Sequence, residues 1–249
     1  MIRARDLHFA FDSHRVLSGL NIDVEESLTT VIIGASGIGK SVLLKCITGL
    51  LKPQSGSITI DEEEVVGADR QKLLAIRRRI GMLFQEGALF DSMNVFENVA
   101  FPLQYHRVAS GAEIEKKVHQ YLELVGMRDA MEAMPQELSG GMKRKVAIAR
   151  AMILEPRYLL YDEPTSGLDP GSSAIVESMI KRLQSQRSIT SLVVTHDIDL
   201  TRYIADRIAL LEEGRIMTLA SREEAFSEGS PVYEHFIEKR ERIRQENAV

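Results

Sequence analysis

Apolar positions fall into two rhythms along the chain. Near the start they alternate, at Leu7, Phe9 and Phe11 and again at Ile22 and Val24. That period of two predicts amphipathic antiparallel strands at one edge of the fold. Farther on, short unbroken apolar runs are bounded by turn residues. Residues 29–33, 80–84, 158–161, 191–194 and 207–211 read as buried strands, and helical spacing first intervenes at 40–48. Buried strands separated by helices predict an α/β fold with a mostly parallel sheet. From about residue 86 to residue 155 the strand signals vanish, so a helical subdomain is expected as an insertion into the α/β core. Ser110 to Glu113 and Ser221 to Glu224 are capping boxes that start helices. Asp169-Pro170 opens another helix, with Ile175, Val176, Met179, Ile180 and Leu183 expected on its core face. After residue 230, Val232, Phe236, Lys239 and Ile243 form one thin stripe, too weak for a core of its own.

Composition narrows the function. The 249 residues hold 31 Lys and Arg against 36 Asp and Glu, a formal charge of −5. This mildly acidic balance argues against a dedicated nucleic-acid binder. The basic clusters at 77–79, 143–145 and 239–244 read as solvated helix faces. The single cysteine, Cys46, cannot form an internal disulfide, which suits a reducing compartment, and it reads as a packing residue. No apolar run approaches 18 residues, and Met1-Ile-Arg-Ala-Arg-Asp-Leu is unlike a signal peptide. A cytoplasmic protein is expected.

Candidate chemistry begins directly after the strand at 29–33. Gly34-Ala35-Ser36-Gly37-Ile38-Gly39-Lys40-Ser41 fits GxxxxGK[ST] at the head of a helix, the context this motif requires. Its glycines let successive N–H groups point at phosphate oxygens, and the helix N-terminus adds partial positive charge. Lys40 is placed to neutralise β- and γ-phosphates, and the Ser41 hydroxyl to ligate Mg²⁺. A second signal is the apolar run 158–161 ending in Asp162 and Glu163. Strand ends are where ligands bind in open α/β sheets. Asp162 is expected in the Mg²⁺ shell, with Glu163 polarising the attacking water.

Leu138-Ser139-Gly140-Gly141-Met142 and the following Lys143 to Arg150 closely resemble the signature motif of ATP-binding cassette (ABC) ATPases. The rest of that family's pattern follows in order over roughly residues 1–225. Phe11 stands at the adenine-stacking aromatic, Gln85 after the strand 80–84, Ser166 to Asp169 at the D-loop and His196 after the strand 191–194. The resemblance implies a RecA-like P-loop core at 1–85 and 156–222, an N-terminal antiparallel β subdomain and the helical subdomain at 86–155. Together they make one domain over 1–230, followed by a helical extension at 231–249. It also implies ATP bound by Phe11 and 34–42. Ser41, Gln85 and Asp162 would hold Mg²⁺, and Glu163, His196 and Gln85 would serve hydrolysis. Ser139, Gly140 and Gly141 would close over ATP held by a second copy of the chain, in a head-to-tail dimer. Met142 replaces the usual Gln, Val42 a second hydroxyl residue, and Ser27-Leu28 a common Gly-Glu turn. Loss of the hydroxyl at 42 is expected to weaken nucleotide binding by about 1 kcal/mol.

Residues 39–45 and 85–103, with the Leu-Ser-Gly-Gly-Met form, resemble one subgroup: the ATPases of bacterial MCE-type lipid transporters. Val42 and Met142 are then subgroup features. This implies a phospholipid or other hydrophobic substrate, a permease dimer, an MCE-domain protein, a small STAS-domain protein and no nucleic acid. The chain would lie peripherally on the inner face of the cell membrane. An importer of amino acids or other polar solutes would share every catalytic motif. A soluble non-transport ABC ATPase would insert long coiled coils, yet Lys40 and Ser139 stand only 99 positions apart. Ala88, Leu89, Phe90, Met93, Val95, Phe96 and Val99 are expected to include a groove for a short permease helix.

Overall fold

The computed structural model describes residues 1–85, 87–187 and 189–234. In chain order the strands and helices are β1 (Ile2–Phe11), β2 (His14–Val24), β3 (Thr29–Ile33), α1 (Lys40–Ile47), β4 (Ser55–Ile60), β5 (Glu63–Glu64), α2 (Arg70–Arg77) and β6 (Ile80–Leu83). There follow α3 (Val95–His106), α4 (Gly111–Leu124), α5 (Gly140–Met152), β7 (Tyr158–Asp162), α6 (Pro170–Arg187), β8 (Thr190–Thr195), α7 (Ile198–Ile204), β9 (Arg207–Glu212), β10 (Arg215–Ser221) and α8 (Arg222–Ala225). The described residues fall into two compact units, one of 1–68 with 192–234, the other within 69–191.

The first unit carries both kinds of strand that the apolar rhythms predict. β1 and β2 pair antiparallel from Ile2 opposite Val24 to Phe11 opposite His14, in a four-stranded sheet of order β2-β1-β4-β5. Leu7 and Phe9 are buried, while Phe11 ends the strand 51% exposed. β3 runs parallel to β9, and all five of its residues are buried. A strand covered on both faces shows no alternation, which is why it reads as an unbroken apolar run. α1 buries Leu43, Leu44, Cys46 and Ile47. Burial pushes the Cys46 thiol up to about 12, which makes it a packing residue. Ser221 and Glu224 cap α8 reciprocally, and the bonds from Ser221 hold the carboxyl below its ordinary range.

In the second unit β6 and β7 run parallel, and the chain from 87 to 155 is helical or irregular, with no strand among its described residues. Buried Asn98 fastens the start of α3 to the segment before it. Its side-chain oxygen accepts from Phe90 N at 2.8 Å, and its amide donates to the carbonyls of Phe90, Met93 and Asn94 at 2.9–3.1 Å. The Ser110–Glu113 box forms at α4, and Asp169 caps α6 by accepting from Ser172 N at 3.0 Å. On α6, Val176, Met179, Ile180 and Leu183 are buried, but Ile175 is 48% exposed. At 100° per residue it lies about 90° from the centre of that stripe, on its solvent edge. Val232 is buried, whereas Phe236, Lys239 and Ile243 lie outside the described residues. Among the described residues no helix is long and apolar enough to cross a membrane.

Candidate nucleotide site

The loop 34–39 carries the chain from buried β3 into α1. Gly39 sits at φ +113°, and a Cβ there would lie 2.7 Å from Val16 Cγ1, so both backbone and space demand glycine. Lys40 is only 5% exposed. Its Nζ donates to the Gly34 carbonyl at 2.8 Å and the Ala35 carbonyl at 3.1 Å, which holds the ammonium against its own loop. Ala35, Ser36 and Gly37 are exposed at the tip, and Ser41 and Val42 are half-buried. The first turn of α1 holds no acidic residue, so its positive end is uncompensated from within the helix. Phe11 meets Phe9 edge-on at 4.8 Å, with the rest of its ring open. His196 is exposed after β8, just before Asp197, which caps α7 through the N–H groups of Asp199 and Leu200. Phe11, the 34–42 loop and His196 thus belong to the first unit.

The second unit holds the remaining candidates. β7 delivers Asp162 and Glu163, both buried. Glu163 has a φ of +47°, a left-handed backbone that non-glycine residues rarely adopt, and Ser166 N donates to its carbonyl at 3.2 Å. Gln85 is exposed directly after Phe84. Ser139 caps α5 by accepting from Met142 N at 3.3 Å, and with Gly140 it forms an exposed helix N-terminus. Gly141 is buried, and a Cβ there would sit 2.6 Å from Ser172 Oγ on α6, so the signature helix packs against α6 only because this side chain is absent. Asp169 is exposed, its carboxyl held below the ordinary range by its bonds with Ser172.

Two expectations change here. Of the basic run 143–145, Arg144 is buried rather than solvated. Its guanidinium bonds the backbone elsewhere in the unit, which local charge patterning cannot show. Val95 and Val99 are core residues of α3, not surface. Of the expected set Ala88 and Phe90 do line an apolar groove of about 440 Å³, which continues over Met82, Phe84, Phe101 and Tyr105. Phe90, Phe101 and Tyr105 form an aromatic row with centroid spacings of 4.7 and 5.8 Å. The i, i+4 spacing of Phe101 and Tyr105 on α3 was the available signal. Arg150 closes one wall. Its guanidinium donates to the Gly87 and Ala88 carbonyls at 2.7 and 2.8 Å and lies over Phe90; burial lowers it to about 10, still charged at neutral pH.

The ABC transporter family profile matches residues 17–166, more than half of the chain. The chain belongs to the ABC transporter family. The matched span of this ABC transporter ATPase takes in the 34–42 loop, Gln85, the signature and Glu163, and leaves Phe11, Asp169 and His196 outside it. Among relatives, the Probable ribonucleotide transport ATP-binding protein mkl of Mycobacterium leprae is 37% identical over 96% of this chain and 69% of its own. The Methionine import ATP-binding protein MetN of Francisella tularensis subsp. holarctica is 40% identical over 91% of this chain and 65% of its own. The Intermembrane phospholipid transport system ATP-binding protein MlaF of Haemophilus influenzae is 39% identical over 90% of this chain and 85% of its own. Among solved structures, the ATP-binding cassette MJ0796, in a dimeric post-hydrolysis state bound to ADP and Pi, superposes with a TM-score of 0.82 at 31% identity. That match covers 89% of this ABC ATPase and 99% of the other chain.

Proposed function

We propose that this ABC ATPase powers phospholipid transport between bacterial membranes, as the subunit that hydrolyses ATP in an MCE-type complex. The observation that carries the lipid reading is the segment 85–103 with Val42 and Met142, which resembles the MCE-type subgroup; the 39% identity with an MlaF supports it. ATP is bound by the N–H groups and glycines of 34–41, with Lys40 set against the β- and γ-phosphates and Val42 beside the loop. Phe11 offers an open ring face to adenine. The Ser41 hydroxyl, Gln85 amide oxygen and Asp162 carboxylate are hard oxygen donors suited to Mg²⁺. Three such donors suit an ion that keeps water and substrate phosphate as further ligands. Held by Ser41, Gln85 and Asp162, Mg²⁺ would supply positive charge against that of the triphosphate. Glu163 takes the proton of the attacking water, and His196 donates to the γ-phosphate. Ser139 to Gly141 hold the ATP of a second copy, with Asp169 on the D-loop at the same junction.

The permease pair is proposed to dock through the aromatic groove, held at the inner face of the membrane, with MCE- and STAS-domain proteins completing the complex. Tyr105, 54% exposed at the groove, is the natural anchor. Tyr105→Ala is expected to weaken permease binding by roughly tenfold or more and to leave ATP binding unchanged. Cysteines placed at 90 should cross-link to the permease. Contacts confined to the ATPase itself would show the groove to be internal packing.

A second reading, an importer of amino acids, is favoured by the 40% identity with a methionine importer. The deciding experiment purifies the ATPase with its permease and extracts the bound small molecules. Phospholipid held in stoichiometric amount, and moved in an ATP-dependent way between vesicles, is expected. A lipid-free complex whose ATPase responds to an amino acid would reject the lipid reading.

A further inference from the structure

Arg144 is the fifth residue after Ser139, on the helix that carries the signature. It is 4% exposed, although a guanidinium cannot shed its charge and its burial must be offset by acceptors. Two backbone carbonyls on separate segments serve. Nη1 donates to Phe84 O at 2.9 Å and Nη2 to Ser166 O at 3.2 Å. Phe84 immediately precedes Gln85, and Ser166 is tied back through its own N–H to the carbonyl of Glu163. One planar side chain therefore joins the signature helix, the start of the Gln85 loop and the turn that holds Glu163. That turn keeps Glu163 in a left-handed conformation, which persists only where the surroundings fix it. Lysine can substitute only in part. Its ammonium is a point charge on a flexible stem, without the rigid fork that reaches two carbonyls at set angles.

We propose that Arg144 is a positioning residue for ATP hydrolysis. Through the Phe84 and Ser166 carbonyls it sets Gln85 and Glu163 relative to the signature helix, so that nucleotide engaged at Ser139–Gly141 brings the base into register. The inference rests on Glu163 as the base. It predicts a defect in chemistry rather than in binding, because Arg144 is buried with its fork turned to two backbone carbonyls.

The test places Arg144→Met, Arg144→Lys and Glu163→Gln in the full-length chain within its transporter complex. Nucleotide affinity, kcat, KM for ATP and the amount of closed, ATP-holding dimer are measured. Arg144→Met is expected to bind ATP as the wild type does, with KM within about threefold and kcat lower by roughly 10–100-fold, the scale of a small misplacement of catalytic groups. It should accumulate the closed dimer without any change at Glu163. Arg144→Lys should recover part of the rate. Wild-type kcat in a folded Arg144→Met or Arg144→Lys protein would overturn the proposal, as would parallel loss of ATP binding and turnover. Should the Met variant fail to fold, the Lys variant decides alone. A slow Glu163→Gln beside a normal Arg144 variant rejects the positioning role only. Normal turnover by Glu163→Gln rejects the base, and the positioning role with it.

Discussion

Glu163→Gln is expected to lower ATP turnover by roughly 10²–10⁴-fold while ATP remains bound. The amide keeps the size and hydrogen-bonding reach of the carboxylate, but it cannot take a proton from water as a carboxylate does. Glu163 is buried at the end of β7, and its backbone is held by Ser166 N, so the substitution changes chemistry without moving the chain. With Glu163 beside the triphosphate as proposed, removing its negative charge favours binding if it acts at all. The closed dimer should then accumulate in Mg-ATP, since in the proposed cycle hydrolysis opens it. Phosphate release and particle mass, measured on the same sample, check both halves of this expectation. Near-normal phosphate release would assign the water-positioning role to another group. Bound ATP without closure would make dimerisation dependent on the membrane partner.

Lys40→Ala should reduce hydrolysis by at least roughly 10²–10³-fold, through loss of the charge proposed to meet the β- and γ-phosphates. The structure adds a second effect to the one expected from sequence. Lys40 is buried, and its ammonium ties the Gly34 and Ala35 carbonyls, so it also shapes the loop. Leaving those acceptors without their donor costs about 1 kcal/mol. For a chain of this size that lowers the melting temperature by about 2–4 °C. A Lys40→Ala protein that melts within this window and still hydrolyses ATP normally would remove the loop from the site. One that is grossly unfolded would show Lys40 to be a core residue first.

The elements legible in sequence share a physical origin. β3, β7 and β8 are buried along their whole length, so each appears as an unbroken apolar run with clear ends. Capping boxes are local and read equally well, as at Ser110 and Ser221. Of the elements not read from the sequence, β4 and α7 are short but bury Ile58 and Ile60, and Ile198, Leu200 and Ile204, while the others bury little. β5 is two residues long, α2 buries only Ile76, and β10 lies at a sheet edge with no fully buried residue. At the site, residue type and order brought the loop and the carboxylates into view, because their chemistry is local. Neither the burial of Arg144 nor the aromatic row of Phe90, Phe101 and Tyr105 could be read the same way. Both depend on segments brought together from distant positions, Phe84 with Ser166 and Phe90 with Phe101.

The helix behind the phosphate loop has a practical consequence for work on this protein. Its Cys46 is the only thiol in the chain, and it is sealed within α1 with its proton held far above neutral pH. Maleimides and disulfide cross-linkers attack thiolates that solvent can reach, so the native protein is already a silent background for such reagents. A cysteine introduced at Phe90, Tyr105 or Ser139 would be the sole reactive handle in the molecule. Fluorophores or spin labels could then report on the groove and the signature in turn, with no core residue altered to make room for them.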